Sequence, residues 1–270
     1  MENEVLVEKK GHTFYITLNR PRSLNALTLN TMAQLHDAVE EYKADEDAFV
    51  AIVTGNGRAF CAGADLIDWV AERTPEEERD RARLKRQKGD FIGFSQECWK
   101  PIIVGVHGVA LGGGFEIAIS CDIFVATSDA RLGTPEAKRG LAPGIAMIKL
   151  PRQIPLKVAM EIMLTGEDRF PVQRAYDLGL VNKVVQVETS WSDDQKRTAV
   201  LTACEEIAAK MLDCAPLSLQ AIKQAAVRSR TIPLREAMHL DFLDLALNSE
   251  DAKEGPRAFA EKRKPRWTGS

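Results

Sequence analysis

The clearest chemical signal in this chain is a glycine-rich turn followed by an acid in an apolar setting. Residues 109–119 contain three consecutive glycines, 112–114, and one charged side chain, Glu116. Glycine lets other groups approach the backbone closely, and the apolar residues after it predict a buried helix. Because a helix start exposes N–H donors and a positive dipole end, this segment is suited to holding an anion beside a buried acid or base.

Two further segments carry related features. A run of small residues at 62–64 precedes Asp65, and Glu136 follows Thr134 and Pro135. Two small-residue turns can direct two backbone N–H groups at one oxygen atom. The residues 134–136 equally fit a helix cap with proline at the first helical position, and Glu116 equally fits a helix start. From the residues alone, both alternatives stay open.

Several common catalytic motifs are missing. Residues 55–60 begin like a dinucleotide-binding fingerprint, but Phe60 stands where the third glycine belongs. The sequence also contains no GxxxxGK[ST] phosphate loop, no GxSxG elbow and no HExxH helix. These absences disfavour dinucleotide-binding, P-loop, serine-hydrolase and zincin functions.

The elements that must position these residues follow from hydrophobic spacing. Alternating apolar residues predict a hairpin over 4–18 that turns at His12, and helical spacing predicts a helix over 29–42. Short apolar runs predict strands at 49–53, 102–106 and 123–126, and an edge strand at 178–187. The pattern strand, strand, helix recurs, which predicts an α/β fold with a buried, largely parallel sheet. Helices follow from about 196, so we expect two regions, 1–195 and 196–270.

Charge, cysteine content and the lack of long apolar runs limit the classes of partner and the compartment that we expect. The 270 residues are 45% hydrophobic and carry a net charge of −3, which disfavours nucleic acid or an anionic membrane as an obligatory partner. The five cysteines form an odd set without CxxC spacing, so we expect reduced thiols and no zinc site. The first residues lack a basic segment followed by an apolar one, and no apolar run reaches a membrane span. We therefore expect a cytoplasmic protein without a membrane partner.

The combination of these motifs resembles one family. Residues 62–65 (Ala-Gly-Ala-Asp) and 111–116 (Leu-Gly-Gly-Gly-Phe-Glu) look like those of the crotonase, or enoyl-CoA hydratase/isomerase, family. Supporting pieces occur in order at 19–21, 24–27, 100–101, 121–122, 135–136, 164–166 and 179–181. The resemblance covers nearly the whole chain. It implies a spiral of strand-strand-helix units, and C-terminal helices that pack between subunits in a homotrimer or a homohexamer.

The resemblance also implies a reaction, the reversible addition of water to a 2-enoyl-CoA. By family likeness, the N–H groups of Ala64 and Gly113 form an oxyanion hole for the thioester oxygen, Glu116 activates the water, and Glu136 delivers the proton to the α-carbon. No metal or redox cofactor is then needed, because the thioester and the oxyanion hole take up the electrons.

For the coenzyme A part, relatives hold adenine with main-chain groups. In this chain the corresponding residues are Ala26, Ala62, Ala64, Asp65 and Leu66. Lys262 resembles the terminal-helix residue that reaches a neighbouring subunit's ligand, and simple surface charge is the alternative. We expect Asp65 to fix its turn as a side-chain acceptor and to do no proton chemistry.

Three observations keep other functions open. The turn after Pro143 is one residue shorter than in the family's hydratases. Because this turn borders the acyl pocket in relatives, the placement of water and the chain length of the acyl group stay open. Residues 135–138, 254–256 and 258–263 look similar to carnitinyl-CoA dehydratases, so dehydration of a functionalised acyl-CoA is one alternative and double-bond isomerisation another. The basic strip from Arg79 to Lys88 motivates an RNA-binding protein with vestigial catalysis, and the acidic overall balance argues against it.

Overall fold

The computed structural model describes residues 3–72, 74–79, 82 and 98–270. The strands are Val5–Lys10 (β1), Thr13–Leu18 (β2), Val50–Gly55 (β3), Ile102–Val106 (β4), Val109–Leu111 (β5), Ile123–Thr127 (β6), Arg131–Gly133 (β7) and Lys183–Val185 (β8). The helices that carry the argument below are Leu29–Ala44 (α1), Leu66–Val70 (α2), Gly113–Ala118 (α3), Ala146–Gln153 (α4), Leu156–Leu164 (α5) and Val172–Asp177 (α6).

The C-terminal part is helical, as predicted. Its helices are Asp193–Leu212 (α7), Pro216–Arg228 (α8), Leu234–Ala237 (α9), Asp244–Leu247 (α10) and Asp251–Ala260 (α11). Short 3-10 helices cover Pro21–Ser23, Pro135–Arg139 and Ser229–Thr231.

The predicted parallel sheet is present. Six strands pair in the order β1-β2-β3-β4-β6-β8, and every pair except the β1–β2 hairpin is parallel. A second, two-stranded sheet pairs β5 with β7 in parallel. The strand over 102–106 matches its prediction because all five residues are buried, as its continuous apolar run requires.

The repeated strand-strand-helix pattern is confirmed. One unit runs from β4 through β5 into α3, and the next runs from β6 through β7 into the 3-10 helix Pro135–Arg139. A third unit runs from β3 to α2, and between them Cys61 forms a parallel bridge to Ala110 in β5. This stacking brings the second strand and the helix of each unit to one end of the large sheet, where the glycine turns lie.

Both faces of the large sheet are covered. Val53 and Val104 lie with Leu35 of α1 in the larger apolar cluster. The alternating residues Ile52 and Ile103 lie in the second cluster, which α7 completes. Buried apolar surface on both faces explains why the strands are nearly all-apolar, and α7 therefore belongs to the packing of the sheet.

The predicted edge strand at 178–187 is too long. Only Lys183–Val185 pairs with β6. Leu178 instead caps the end of α6, and Gly179 follows with φ 76°, a left-handed conformation that glycine favours and that turns the chain. The apolar residues at the start of this run are buried by a helix end and not by strand pairing.

The C-terminal helices begin a little earlier than expected. Helix α7 starts at Asp193 because the Ser192 hydroxyl accepts a hydrogen bond from the Gln195 N–H and the Gln195 side chain accepts one from the Ser192 N–H. This reciprocal pair of hydrogen bonds is a capping box. The division into regions 1–195 and 196–270 stays a prediction.

Candidate functional site

Ala64 lies in a turn that two backbone hydrogen bonds fix in place. The Leu27 N–H donates to the Gly63 carbonyl over 2.8 Å, and the Asp65 N–H donates to the Leu27 carbonyl over 3.0 Å. Between these bonds Ala64 is exposed. Within the described part of the chain its own N–H has no acceptor. The turn therefore holds an unused donor at the surface.

A second unused donor lies at the start of α3. The Gly113 N–H has no acceptor among the residues that the structure describes. Gly112 before it takes φ 52° and ψ −128°, a conformation that glycine alone adopts readily. The two turns are in contact: a Cβ atom on Gly63 would stand 3.4 Å from the Gly113 nitrogen and 2.8 Å from the Leu111 carbonyl oxygen. Glycine at this point lets the Ala64 turn and the α3 start approach each other.

Glu116 lies in the first turn of α3 and is 3% exposed. Its Oε1 accepts a hydrogen bond of 2.9 Å from the N–H of Ala146, the first residue of α4. The positive end of a helix dipole stabilises a negative charge on such a carboxylate. Gly144 leaves room beside it, since a Cβ atom there would stand 3.5 Å from Oε1 and 3.7 Å from Oε2. Glu116 therefore faces a second helix as well as its own.

Glu136 has a different environment. It lies in the first turn of Pro135–Arg139, where Thr134 makes no side-chain cap and instead donates its hydroxyl to the Ile162 carbonyl over 3.3 Å. A Cβ atom on Gly112 would stand 2.9 Å from Oε1, while Oε2 is buried without a hydrogen-bond partner in the described structure. Burial raises the pKa of this carboxyl above its ordinary value of 4.5. The environment favours the protonated acid.

The structure brings the four predicted catalytic groups together around one glycine turn. Gly112 touches Glu136, precedes Gly113 and accepts the N–H of Glu116 on its carbonyl over 2.9 Å. Ala64 follows Gly63, which packs on the same turn. Two carboxyl groups and two unused N–H donors thus share a small region. The roles assigned to them stay predictions.

The residues predicted to hold adenine lie on or beside the Ala64 turn. The Ala62 N–H donates to the Leu24 carbonyl over 3.0 Å, so segments 24–27 and 62–65 lie side by side. Asp65 caps α2, since its Oδ1 accepts the N–H groups of Ile67 at 3.2 Å and Asp68 at 3.3 Å. The predicted side-chain acceptor is confirmed. Leu66 begins α2 and is 38% exposed, and Ala26 is half-buried.

Lys262 stands apart from this group. It follows α11, is exposed and takes φ 55°. Its neighbour Arg263 forms ion pairs with Glu254 at 2.5 Å and Glu261 at 2.6 Å. Within the described part of this chain, no hydrogen bond or ion pair joins Lys262 to the glycine turns. A role toward a neighbouring subunit's ligand stays a prediction.

Two partners in this region were missed by the sequence analysis. The Ala146 N–H is the donor to Glu116, and Arg20 donates to both the Ala26 carbonyl and Asp65. No local pattern points to either contact, because the partners are 30 and 45 residues apart in sequence for Ala146–Glu116 and Arg20–Asp65. The Pro143-Gly144 turn leads into α4 and lies beside Glu116.

Most of the basic strip from Arg79 to Lys88, including Arg83, Lys85 and Arg86, lies outside the described residues. No helix in the described ranges is both long and apolar enough to cross a membrane.

Comparisons with known proteins agree with the geometry. The family model described as enoyl-CoA hydratase/isomerase matches residues 8–270. An (E)-benzylidenesuccinyl-CoA hydratase from Thauera aromatica is 35% identical, with 98% of this chain and 99% of that protein covered. A carnitinyl-CoA dehydratase from Salmonella agona is 32% identical, with both chains fully covered.

Solved structures show the same similarity. The crystal structure of an enoyl-CoA hydratase from Mycobacterium tuberculosis H37Rv matches with a TM-score of 0.85 and 36% identity, and the match covers 100% of each chain. Fold, family model and relatives all extend over nearly the whole sequence. The chain therefore belongs to the enoyl-CoA hydratase/isomerase family.

Proposed function

We propose that this protein is an enoyl-CoA hydratase, which adds water reversibly to the double bond of a 2-enoyl-CoA. The observation that carries the proposal is the unlike pair of carboxyl groups at one glycine turn. Glu116 accepts an N–H from a helix start, which stabilises its charge, whereas Glu136 has a buried oxygen without a partner and a raised pKa. Hydration needs such a pair, one base and one acid.

The thioester oxygen binds between the N–H groups of Ala64 and Gly113 in this proposal. Both donors lack an acceptor in the described structure, and both lie on turns whose conformation is fixed. As water adds, the electrons of the double bond move to this oxygen and form an enolate. Preorganised donors stabilise that charge, and one such donor contributes about 2.7–4 kcal/mol to transition-state stabilisation.

Proton movement follows from the two environments. Glu116 takes a proton from water while the water oxygen bonds to the β-carbon. Glu136 then gives its proton to the α-carbon, and the enolate returns to the thioester. The product is a 3-hydroxyacyl-CoA, and transfer of one proton from Glu116 to Glu136 resets the site. The sum is one water added, so neither a metal nor a redox cofactor is part of the proposal.

The substrate's coenzyme A part lies along the segments that flank Ala64. Ala26, Ala62 and Asp65 are half-buried and Leu66 is exposed, so these residues are accessible to adenine. Lys262 of a neighbouring subunit supplies a cation for phosphate. A cytoplasmic location fits the reduced cysteines, of which Cys61 and Cys204 are buried in the core.

The test is turnover of crotonyl-CoA and of a longer 2-enoyl-CoA, followed by loss of the ultraviolet absorbance of the conjugated thioester. Wild type is expected to hydrate at least one of them, and Glu116→Gln and Glu136→Gln are each expected to lose about 10²- to 10⁴-fold in turnover. Equal rates in wild type and both variants would refute the proposed roles.

A second candidate is dehydration of a functionalised acyl-CoA, and the same two carboxyl groups would serve it in the reverse direction. The full-length similarity to a carnitinyl-CoA dehydratase favours this candidate. Incubation with crotonyl-CoA and with carnitinyl-CoA separates the two, because each substrate reports a different acyl pocket. Retention of both glutamates argues against isomerisation by a single base.

We propose a homotrimer or a homohexamer, as family likeness implies, in which copies of the chain associate through the C-terminal helices. They expose large apolar side chains, among them Leu234 (77%), Met238 (76%), Leu243 (66%), Leu247 (65%) and Phe259 (87%). Contiguous exposed apolar residues mark interaction surfaces. Sedimentation equilibrium of wild type and Met238→Glu tests this: we expect a trimer or hexamer that the charge weakens, and a monomeric wild type would refute it.

A further inference from the structure

Arg20 ties together the two segments that flank Ala64. Its Nη1 donates to the Ala26 carbonyl and, over 3.0 Å, to Asp65 Oδ2. Its Nε lies 3.7 Å from Glu4 Oε2. The side chains of Arg20, Asp65 and Glu4 are only 21%, 14% and 16% exposed. One guanidinium thus joins three partners that are far apart in sequence, in a setting largely shielded from water.

The segment that Arg20 holds is conformationally strained. Leu24 and Asn25 take φ 52° and 54°, in the left-handed region that non-glycine residues seldom occupy. Asn25 is completely buried, and its amide donates to the carbonyls of Asn56 and Ala59. Its Oδ1 accepts the Arg20 N–H over 2.7 Å. Such a backbone persists only where several contacts determine it, and Arg20 supplies contacts from both its main chain and its side chain.

The strained segment sets the position of the Ala64 donor. Leu27 exchanges two backbone hydrogen bonds with Gly63 and Asp65, the neighbours of Ala64. Asp65 meets Arg20 through Oδ2 and caps α2 through Oδ1. A shift of the guanidinium therefore acts on both sides of Ala64.

We propose that Arg20 is a positioning residue, which holds the Ala64 N–H at the place where the thioester oxygen binds by joining the Ala26 carbonyl to the Asp65 carboxylate. This inference rests on the proposed function, because it gives the Ala64 N–H the oxyanion-binding role assumed there.

A positioning role for Arg20 and a purely stabilising role predict different effects of its removal on turnover. Three backbone hydrogen bonds already join segments 24–27 and 62–65, so the fold survives without the guanidinium. The carboxylates of Asp65 and Glu4 are largely shielded from water, so removing the guanidinium that faces them also costs stability. A donor displaced by about 1 Å costs on the order of a hundredfold in turnover. Loss of Arg20 is therefore expected to lower both turnover and melting temperature, and the activity of the protein that stays folded reports the position of the Ala64 N–H.

The test compares Arg20→Met with Arg22→Met, a matched loss of one arginine at an exposed position two residues away. The probe is acetoacetyl-CoA at saturating concentration and neutral pH without divalent metal ions, whose enolate absorbs in the ultraviolet and is stabilised when donors hold the thioester oxygen. Wild type and Arg22→Met are expected to show the enolate band. Arg20→Met is expected to show a band about tenfold weaker at a temperature where its melting curve shows that it is folded.

The outcomes are distinguishable. An equal band in all three proteins would overturn the inference and leave the proposed function standing. A wild type without the band and without crotonyl-CoA turnover would overturn the proposed function and the inference with it. If Arg20→Met fails to fold, Asp65→Asn decides, because it keeps the α2 cap and removes the charge that faces Arg20: a lost band supports the inference and an intact band refutes it.

Discussion

Glu136 lies against Gly112, and its Oε1 is 2.9 Å from the point where a Cβ atom on Gly112 would stand. The glycine turn is therefore fitted to the acid as well as to the helix that begins after it. This contact joins the last strand-strand-helix unit to the one before it, and it gives the site its compactness.

Gly112→Ala is expected to abolish most turnover and to lower stability. The new methyl group displaces Glu136, and alanine is strained at φ 52°. Gly140→Ala is the matched control, since Gly140 has φ 71° and nothing within 4 Å of a built Cβ atom. Turnover and thermal melting of both variants check this, and equal activity in the two would show that Gly112 serves conformation alone.

Glu136→Gln is expected to lose activity. Relative to wild type, its stability is expected to increase as pH rises. Burial raises the folded-state pKa of Glu136 above 4.5, so the folded protein binds more protons than the unfolded chain between the two pKa values. The cost of ionising this group therefore develops as pH rises from about 4.5 through the folded pKa and is fully present above it. Glutamine does not ionise, so the variant does not lose this stability.

Thermal melting of wild type and Glu136→Gln at pH values below and above this window measures the effect. The melting temperature of the variant relative to wild type should increase with pH. A difference that stays constant, or that shrinks as pH rises, would contradict the buried, raised-pKa assignment.

Glu116→Gln and Glu116→Ala are expected to separate chemistry from structure. Glutamine keeps an oxygen for the Ala146 N–H but cannot take a proton from water, so activity falls and stability changes little. Alanine also leaves the buried N–H without its acceptor, which costs about 1–3 kcal/mol more. Urea unfolding of both variants checks this, and equal stabilities would argue against the contact with α4.

A buried ion pair joins the C-terminal helix α8 to the residue before β6. Lys223 of α8 lies 2.6 Å from Asp122 Oδ2, and their side chains are 8% and 25% exposed. Asp122→Ala is expected to cost about 3–5 kcal/mol, because it leaves the ammonium buried without its carboxylate. The double variant with Lys223→Met should recover part of this loss. Additive losses in urea unfolding would show that the pair is not coupled.

Some of this architecture was predictable from local pattern and some was not. The strand Ile102–Val106 and the glycine turn before Glu116 follow from an apolar run and from three adjacent glycines. The strand Arg131–Gly133 was missed, because three residues carry no periodicity and only pairing with β5 makes them a strand.

The site shows the same division. Residue types and family likeness identified Glu116 and Glu136, whereas the features that distinguish them come from distant contacts. The Ala146 N–H and the space over Gly112 depend on how the units stack, which no local spacing encodes. The contact between Arg20 and Asp65 likewise joins residues that are 45 positions apart, so local spacing does not predict it.

The most direct test of the central claim is conversion of crotonyl-CoA in deuterated water, with mass-resolved products, by wild type beside Glu136→Gln. We predict gain of one water and one non-exchangeable deuterium on the α-carbon, both strongly reduced in the variant. Deuterium exchange at the α-carbon without addition of water would keep the enolate site and contradict hydration. Neither addition nor exchange, with crotonyl-CoA and a longer 2-enoyl-CoA alike, would contradict the account as a whole.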